Sequence, residues 1–202
     1  TAIPLGILLD RIGTRRGLMI ALIVIATSVV LRANANGFGS LFIAVAVFGL
    51  GGPMVSIGAP KLISQWFEGK ERGFAMGIYM TAPTLGSMTG LSMTNSLFMP
   101  IFSGDWRSVM MLYAIFIISA SAIWWLITAH KDSKLVELSS AAEPRESQKD
   151  NFVRLIKIPA FQIVLLMSIG IFFFNHGLNN WLPEILRSKG LSATEAGYLA
   201  SI

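Results

Sequence analysis

The stretch Gly6-Ile7-Leu8-Leu9-Asp10-Arg11-Ile12-Gly13-Thr14-Arg15-Arg16 decides how the rest of the chain is read. An apolar helix end runs into an acid, arginines and a glycine in quick succession, and an apolar run then follows from Gly17 to Leu31. Charge is confined to a turn between two segments that carry none. The same alternation recurs along the chain, because no Asp, Glu, Lys or Arg occurs in 33–60, 73–104, 108–129 or 158–183. A membrane-crossing helix needs about 20 mostly apolar residues, so the pattern predicts five crossings.

Composition points the same way. Hydrophobic residues make up 53% of the 202 and charged residues 13%, about half the charged share of an ordinary soluble domain. Five such segments leave too little polar surface to cover a water-exposed globule. The formal charge of +5 does not indicate a nucleic-acid partner, since the basic residues lie between apolar runs and form no stripe with interleaved aromatics. Assigning alternate loops to one side gathers Arg11, Arg15, Arg16, Lys61, Lys70, Arg72, Lys131, Lys134, Arg145, Lys149, Arg154 and Lys157 there, against Arg32, Arg107, Arg187 and Lys189 opposite. The positive-inside rule makes the first side cytoplasmic. The absence of cysteine excludes disulfides and thiolate metal sites. No catalytic triad, paired catalytic carboxylates, metal-spaced histidines or phosphate-cradling loop stands out, so neither an enzyme activity, a metal nor a cofactor is expected.

The chain opens at Thr1 and closes at Ile202, inside a helix start marked by the capping-box pair Ser192 and Glu195, and both ends read as cut. From Ala129 to Ile158 the composition turns to His, Lys, Asp, Ser, Glu, Pro and Gln, the signature of a solvated linker. This divides the chain into a first part, 1–128, a linker, 129–158, and a second part, 159–202.

The opening loop resembles the cytoplasmic connection between the second and third helices of the major facilitator superfamily, Gly-x-x-x-Asp-Arg-x-Gly-Arg-Lys. Thr14 departs at the first basic position, while Arg15 and Arg16 keep the charge. A second loop, Trp66-Phe67-Glu68-Gly69-Lys70-Glu71-Arg72-Gly73-Phe74-Ala75-Met76-Gly77, is similar to that family's Trp-Phe-x-x-x-Glu-Arg-Gly-x-Ala-x-Gly between helices four and five. The resemblance implies an all-α polytopic transmembrane helical bundle, running from the end of the second helix to the start of the eighth. It implies a multi-pass inner-membrane protein with a cytoplasmic linker. The implied activity is secondary active transport of a small solute by alternating access between two helical half-bundles, with a proton or counter-solute as coupling partner. The rivals are a multidrug efflux antiporter and a non-transporting membrane sensor or assembly subunit.

Three groups of residues are singled out. Gly6, Asp10, Arg11, Gly13, Arg15, Arg16, Glu71 and Arg72 form the loop motifs, and the resemblance makes Asp10 a charge latch with Lys61 or Arg72 as partner; a solvated loop acid is the alternative. Gly49, Gly51, Gly52, Pro53 and Gly58, then Gly77, Pro83 and Gly86, read as close packing or kinks. The run from Gly77 to Ser87 resembles an antiporter motif in which Ala82 and Ser87 replace two glycines. Asn175, His176, Asn179 and Asn180 break an apolar run, and polar groups at that depth face a bundle interior or a watery cavity. With Tyr79, Thr81 and Thr84 they are candidates to line a substrate cavity, or else to bond between helices. Asn179-Asn180-Trp181-Leu182-Pro183 with Gly190 to Gly197 resembles the cyanate and nitroimidazole branch, which implies a small anion or small polar organic substrate.

Overall fold

The structure is a computed structural model, and it describes residues 2–129 and 154–201. Residues 130–153 of the expected linker lie outside the described residues. The described elements are α1 (Ala2–Ile12), α2 (Thr14–Ala33), α3 (Phe38–Trp66), α4 (Gly69–Met93), α5 (Met99–Ile101), α6 (Trp106–Ile127), α7 (Pro159–Ser188) and α8 (Ala193–Ala200). A π-helical turn, Thr94–Phe98, joins α4 to α5. No strand occurs among the described residues, so the all-α reading stands.

Among the described residues, α2, α3, α6 and α7 are long and apolar enough to cross a membrane. The fifth charge-free run is the difference from the sequence reading. α4 is 25 residues long, but its many glycines and hydroxyl residues hold its hydropathy down. α3 extends further than its charge-free run: Pro60 lies inside the helix, which continues to Trp66. At 1.5 Å per residue its 29 residues span roughly 44 Å, more than the ~30 Å hydrocarbon core. Lys61 is thereby carried on a rigid helix end rather than in a loop.

The chain divides into two compact units. The first comprises Thr1–Gly86 and Leu97–Ala142, and the second Ser87–Ser96 and Glu143–Ile202. In the first unit α2 packs against both α3 and α6, and α1 lies against α2 and α3. Apolar burial drives helices together only weakly when the solvent is itself apolar, so small residues and interhelical hydrogen bonds decide the contact. A Cβ added to Gly51 would sit 2.9 Å from the Ala21 carbonyl oxygen and 2.8 Å from Ile25 Cγ1, and one added to Gly58 would sit 2.9 Å from Leu18 Cδ2. Farther along the same seam the buried Ser28 hydroxyl donates to the Ala44 carbonyl at 2.7 Å. Leu9, Ala21 and Met54 close the buried apolar cluster between α1, α2 and α3.

α2 runs antiparallel to both α3 and α6. Arg107 Nη2, at the start of α6, donates to the Ala35 carbonyl beyond the end of α2 at 2.9 Å. At the other end Trp124 Nε1 donates to the Arg15 carbonyl at 3.3 Å. The chain leaves α3 at the Arg15 end and enters α6 at the Arg107 end, so the segment between them has to travel the length of the bundle. Arg32, near the Arg107 end, lies over the Phe48 ring, 5.2 Å from its centroid.

In the second unit α7 and α8 pack together, with Ser87–Ser96 beside α8. The expected capping box is formed: the Ser192 hydroxyl accepts from the Glu195 N–H at 3.3 Å, and the Glu195 carboxylate accepts from the Ser192 N–H at 2.9 Å. Gly197 comes so close to the Leu91 carbonyl that an added Cβ would lie 2.5 Å from its oxygen. Asn95 Nδ2 donates to the Ala193 carbonyl at 3.3 Å.

Gly51→Leu should destabilise the full-length protein by about 1–3 kcal/mol, the usual cost of overpacking. Gly49→Ala, at a glycine with nothing within 4 Å, should change stability by less than ~1 kcal/mol; unfolding by dodecyl sulfate titration in mixed micelles measures both. Asp105 caps α6: its carboxylate accepts from the Ser108 hydroxyl at 2.6 Å and from the Arg107 N–H at 3.1 Å. These bonds, the Ser108 hydroxyl first, hold its pKa below the ordinary 3.8. A lowered carboxylate pKa contributes stability above the unfolded value that is lost as pH falls through the folded one. A carboxyl carbon NMR titration should therefore place the Asp105 midpoint below 3.8, and Ser108→Ala should raise it.

Candidate functional site: a charged helix end and two polar faces

The first candidate site is the end of the first unit where α1, α2 and α3 meet. Asp10 lies in the last turn of α1, and Gly13 turns the chain into α2 with φ of 87°, a conformation glycine adopts without a Cβ clash. The Asp10 carboxylate accepts from the Lys61 ammonium on α3, an ion pair with each side chain about one-third exposed. Of the two partners considered for Asp10, Lys61 is the one the structure brings to it. Arg72 and Glu71 lie exposed in the first turn of α4, and Arg11 and Arg16 are exposed at the turn. Gly6 has open space around its α-carbon.

Arg15 is treated differently by the fold. Its residue exposure is 5%, its guanidinium lies 4.8 Å from the centroid of the Trp125 ring, and its Nε is buried without a hydrogen-bond partner among the described residues. The Trp124-Trp125 pair holds the start of α2 by its backbone and by its side chain. Sequence reasoning passed over both tryptophans, although adjacent Trp residues at the end of an apolar run are a signal for an interfacial anchor.

The second and third candidates are polar faces. On α4, Thr81 and Thr84 are exposed on one side, and the Thr81 hydroxyl donates back to the Ile78 carbonyl at 2.7 Å. At about 100° per residue, Tyr79 lies on the opposite side of the helix and is half-buried, so the three do not share a face. On α7, residues 175, 176, 179 and 180 fall within roughly 140° of arc and form one polar face. Asn180 and His176 are exposed, and His176 stacks on Phe172 with centroids 5.7 Å apart. The side chain of Asn179 lies outside the described residues. Tyr79, Thr81 and Thr84 belong to the first unit, the α7 residues to the second.

Among the glycines and prolines singled out for packing, Pro53 and Pro83 lie inside α3 and α4. Gly49, Gly77 and Gly86 have open space at the position of a Cβ, and Gly52 meets only Phe48 of its own helix. The close approach falls instead on Gly51 and Gly58 of the same group. No cluster of metal-ligating side chains occurs among the described residues.

The family pattern described as Major Facilitator Superfamily matches residues 1–202. The chain belongs to that superfamily. With its apolar helices, this makes it a multi-pass membrane protein. Among major facilitator relatives it is 23% identical over 196 residues to the uncharacterized transporter YycB of Bacillus subtilis, covering 96% of this chain and 45% of that protein. It is 24% identical over 206 residues to the probable nitrate/nitrite antiporter NarK1 of Thermus thermophilus, covering 98% and 44%. It is also 24% identical over 217 residues to a quinolone resistance transporter of Acinetobacter baumannii, covering 99% and 50%. The chain spans about half the length of these curated relatives.

The ion pair yields a quantitative expectation. Because both partners are partly solvated, a double-mutant cycle with Asp10→Asn and Lys61→Gln should give a stability coupling of about 0.2–1 kcal/mol, as for other exposed pairs. The reversed pair Asp10→Lys with Lys61→Asp should recover most of the loss of either single reversal, read by unfolding of the full-length protein at low salt.

Proposed function

We propose that the chain is part of a secondary transporter that moves a small anion or small polar organic molecule by alternating access. The observation that carries this reading is the superfamily match over the whole chain. The half-bundles are represented by 1–128 and 159–202 and joined by the cytoplasmic linker 129–158, in an inner membrane. The polar face of α7, with Asn175, His176, Asn179 and Asn180, would contribute to the substrate cavity, with Thr81 and Thr84 of α4 as further lining. A polar face at membrane depth has no hydrogen-bond partners in lipid, which favours a watery cavity beside it. Transport of nitrate and nitrite in the name of one relative supports an anionic substrate.

In this mechanism the Asp10–Lys61 pair acts as a latch by fixing the α1–α2 turn against α3. Both partners lie in the first unit, so the pair biases the access equilibrium through the position of that turn. Such a bias shifts populations by no more than the difference in the pair's energy between the two states.

Multidrug efflux is the second reading, favoured by the quinolone resistance relative and opposed by the absence of any acid in 17–60, 73–104, 108–129 and 158–183. A cationic drug held in lipid would call for a buried carboxylate. A thermal-shift panel on the full-length carrier separates the two. Small inorganic and organic anions should raise the melting point by mass action, and Asn180→Ala should weaken the bound anion about tenfold, ~1.4 kcal/mol. Stabilisation by lipophilic cations alone would reject the anion reading.

A further inference from the structure

The first unit contains an elongated cavity of about 490 Å³ between α2 and α6. Met19, Ala26, Val30 and Leu31 of α2 and Ile118 and Trp125 of α6 form much of its wall. None of the residues considered for transport lines it. Its α2 side is also turned away from α3. At about 100° per residue, Leu18, Ala21, Ile25 and Ser28, which meet α3, centre on one side of α2, and Met19, Ala26 and Val30 centre on the other. A groove with such apolar walls is chemically matched to acyl chains.

Its length matches one of them. From Met19 to Leu31 the helix rises roughly 18 Å, close to the ~15 Å depth of one leaflet in a ~30 Å hydrocarbon core. The end marked by Met19 and Trp125 is also where Arg15 lies. Arg15 is a buried residue, and the Trp125 ring that walls the groove supports the flat face of its guanidinium. An aromatic face attracts the cation but accepts no hydrogen bond along the edge of the guanidinium, where Nε is unpartnered. The same end of α2 begins at Gly13 without a side-chain cap. An apolar trough that ends at an unsatisfied arginine and an uncapped helix start fits one amphiphile, with a chain on one side and an anionic head on the other.

We propose that this groove seats one anionic phospholipid, with an acyl chain between α2 and α6 and the phosphate at Arg15. The phosphate would sit beside the guanidinium charge that Trp125 holds at that end. Basic pockets between transmembrane helices at the headgroup level recognise anionic lipids in this way.

The test uses the full-length carrier, released from nanodiscs into native mass spectrometry with phosphatidylglycerol or phosphatidylcholine of identical chains. The expected result is at least a tenfold preference for retained phosphatidylglycerol. Arg15→Gln should reduce that preference to near parity, Arg15→Lys should keep most of it, and Ala26→Phe, which fills the trough, should lower retention of both lipids. Equal retention of the two lipids by the unaltered protein would overturn the proposal, as would a preference that survives Arg15→Gln or a lipid stoichiometry untouched by Ala26→Phe. Absence of any retained lipid would assign the groove to another segment of protein and equally reject it. If Arg15→Gln fails to fold, the Arg15→Lys and Ala26→Phe results still decide.

Discussion

The first unit depends on how near α2 and α3 can come to one another. Hydrocarbon gives helices little reason to associate, so the attraction has to come from atoms in direct contact. Gly51 and Gly58 remove the side chains that would hold the backbones apart, and Ala21 and Ala44 are correspondingly small. That proximity is what lets the Ser28 hydroxyl reach a carbonyl on the neighbouring helix. It also brings the end of α3 over the end of α1, where Lys61 finds Asp10. The ion pair is therefore a product of the seam more than its cause.

The charged end is a composite of two kinds of arginine. Arg11 and Arg16 are exposed and present the charge of the turn at its surface. Arg15 faces inward against α6, with its carbonyl held by Trp124 and its guanidinium over Trp125. One short loop thus presents exposed charge and attaches α6 at once. Replacing Arg15 by a residue of equal charge but different shape would preserve the first role more fully than the second, because only a planar group matches an aromatic face.

Much of this was legible in the sequence because charge is so sparse in it. The apolar runs located α2, α3, α6 and α7, the loop motifs identified the superfamily, and the spacing of Ser192 and Glu195 marked the start of α8. What was not legible depended on neighbours. Gly49, Gly51, Gly52 and Gly58 look alike in sequence, and only the direction from which α2 approaches distinguishes the pair in contact from the pair beside open space or its own Phe48. Pro60 coincides with the end of a charge-free run, yet the first turn beyond a helical proline can continue when its own hydrogen bonds are intact, and α3 does continue. Tyr79 was grouped with Thr81 and Thr84 by polarity, although helical geometry alone separates them. Asp105 with Ser108 was a readable N-cap pattern that the sequence reading did not use.

The pairing of Ser87–Ser96 with α8 has a consequence for biosynthesis. Asn95 and Ala193 are 98 positions apart, and at about 5–20 residues per second that separation corresponds to roughly 5–20 s of translation. The ribosome delivers the π-helical turn early and its partner helix late. Early in that interval α6 completes the helices of the first unit, whereas the second has only a waiting strip of α4. Assembly in the membrane is therefore ordered by the chain itself, and the close fit of Gly197 on Leu91 has to wait for α8.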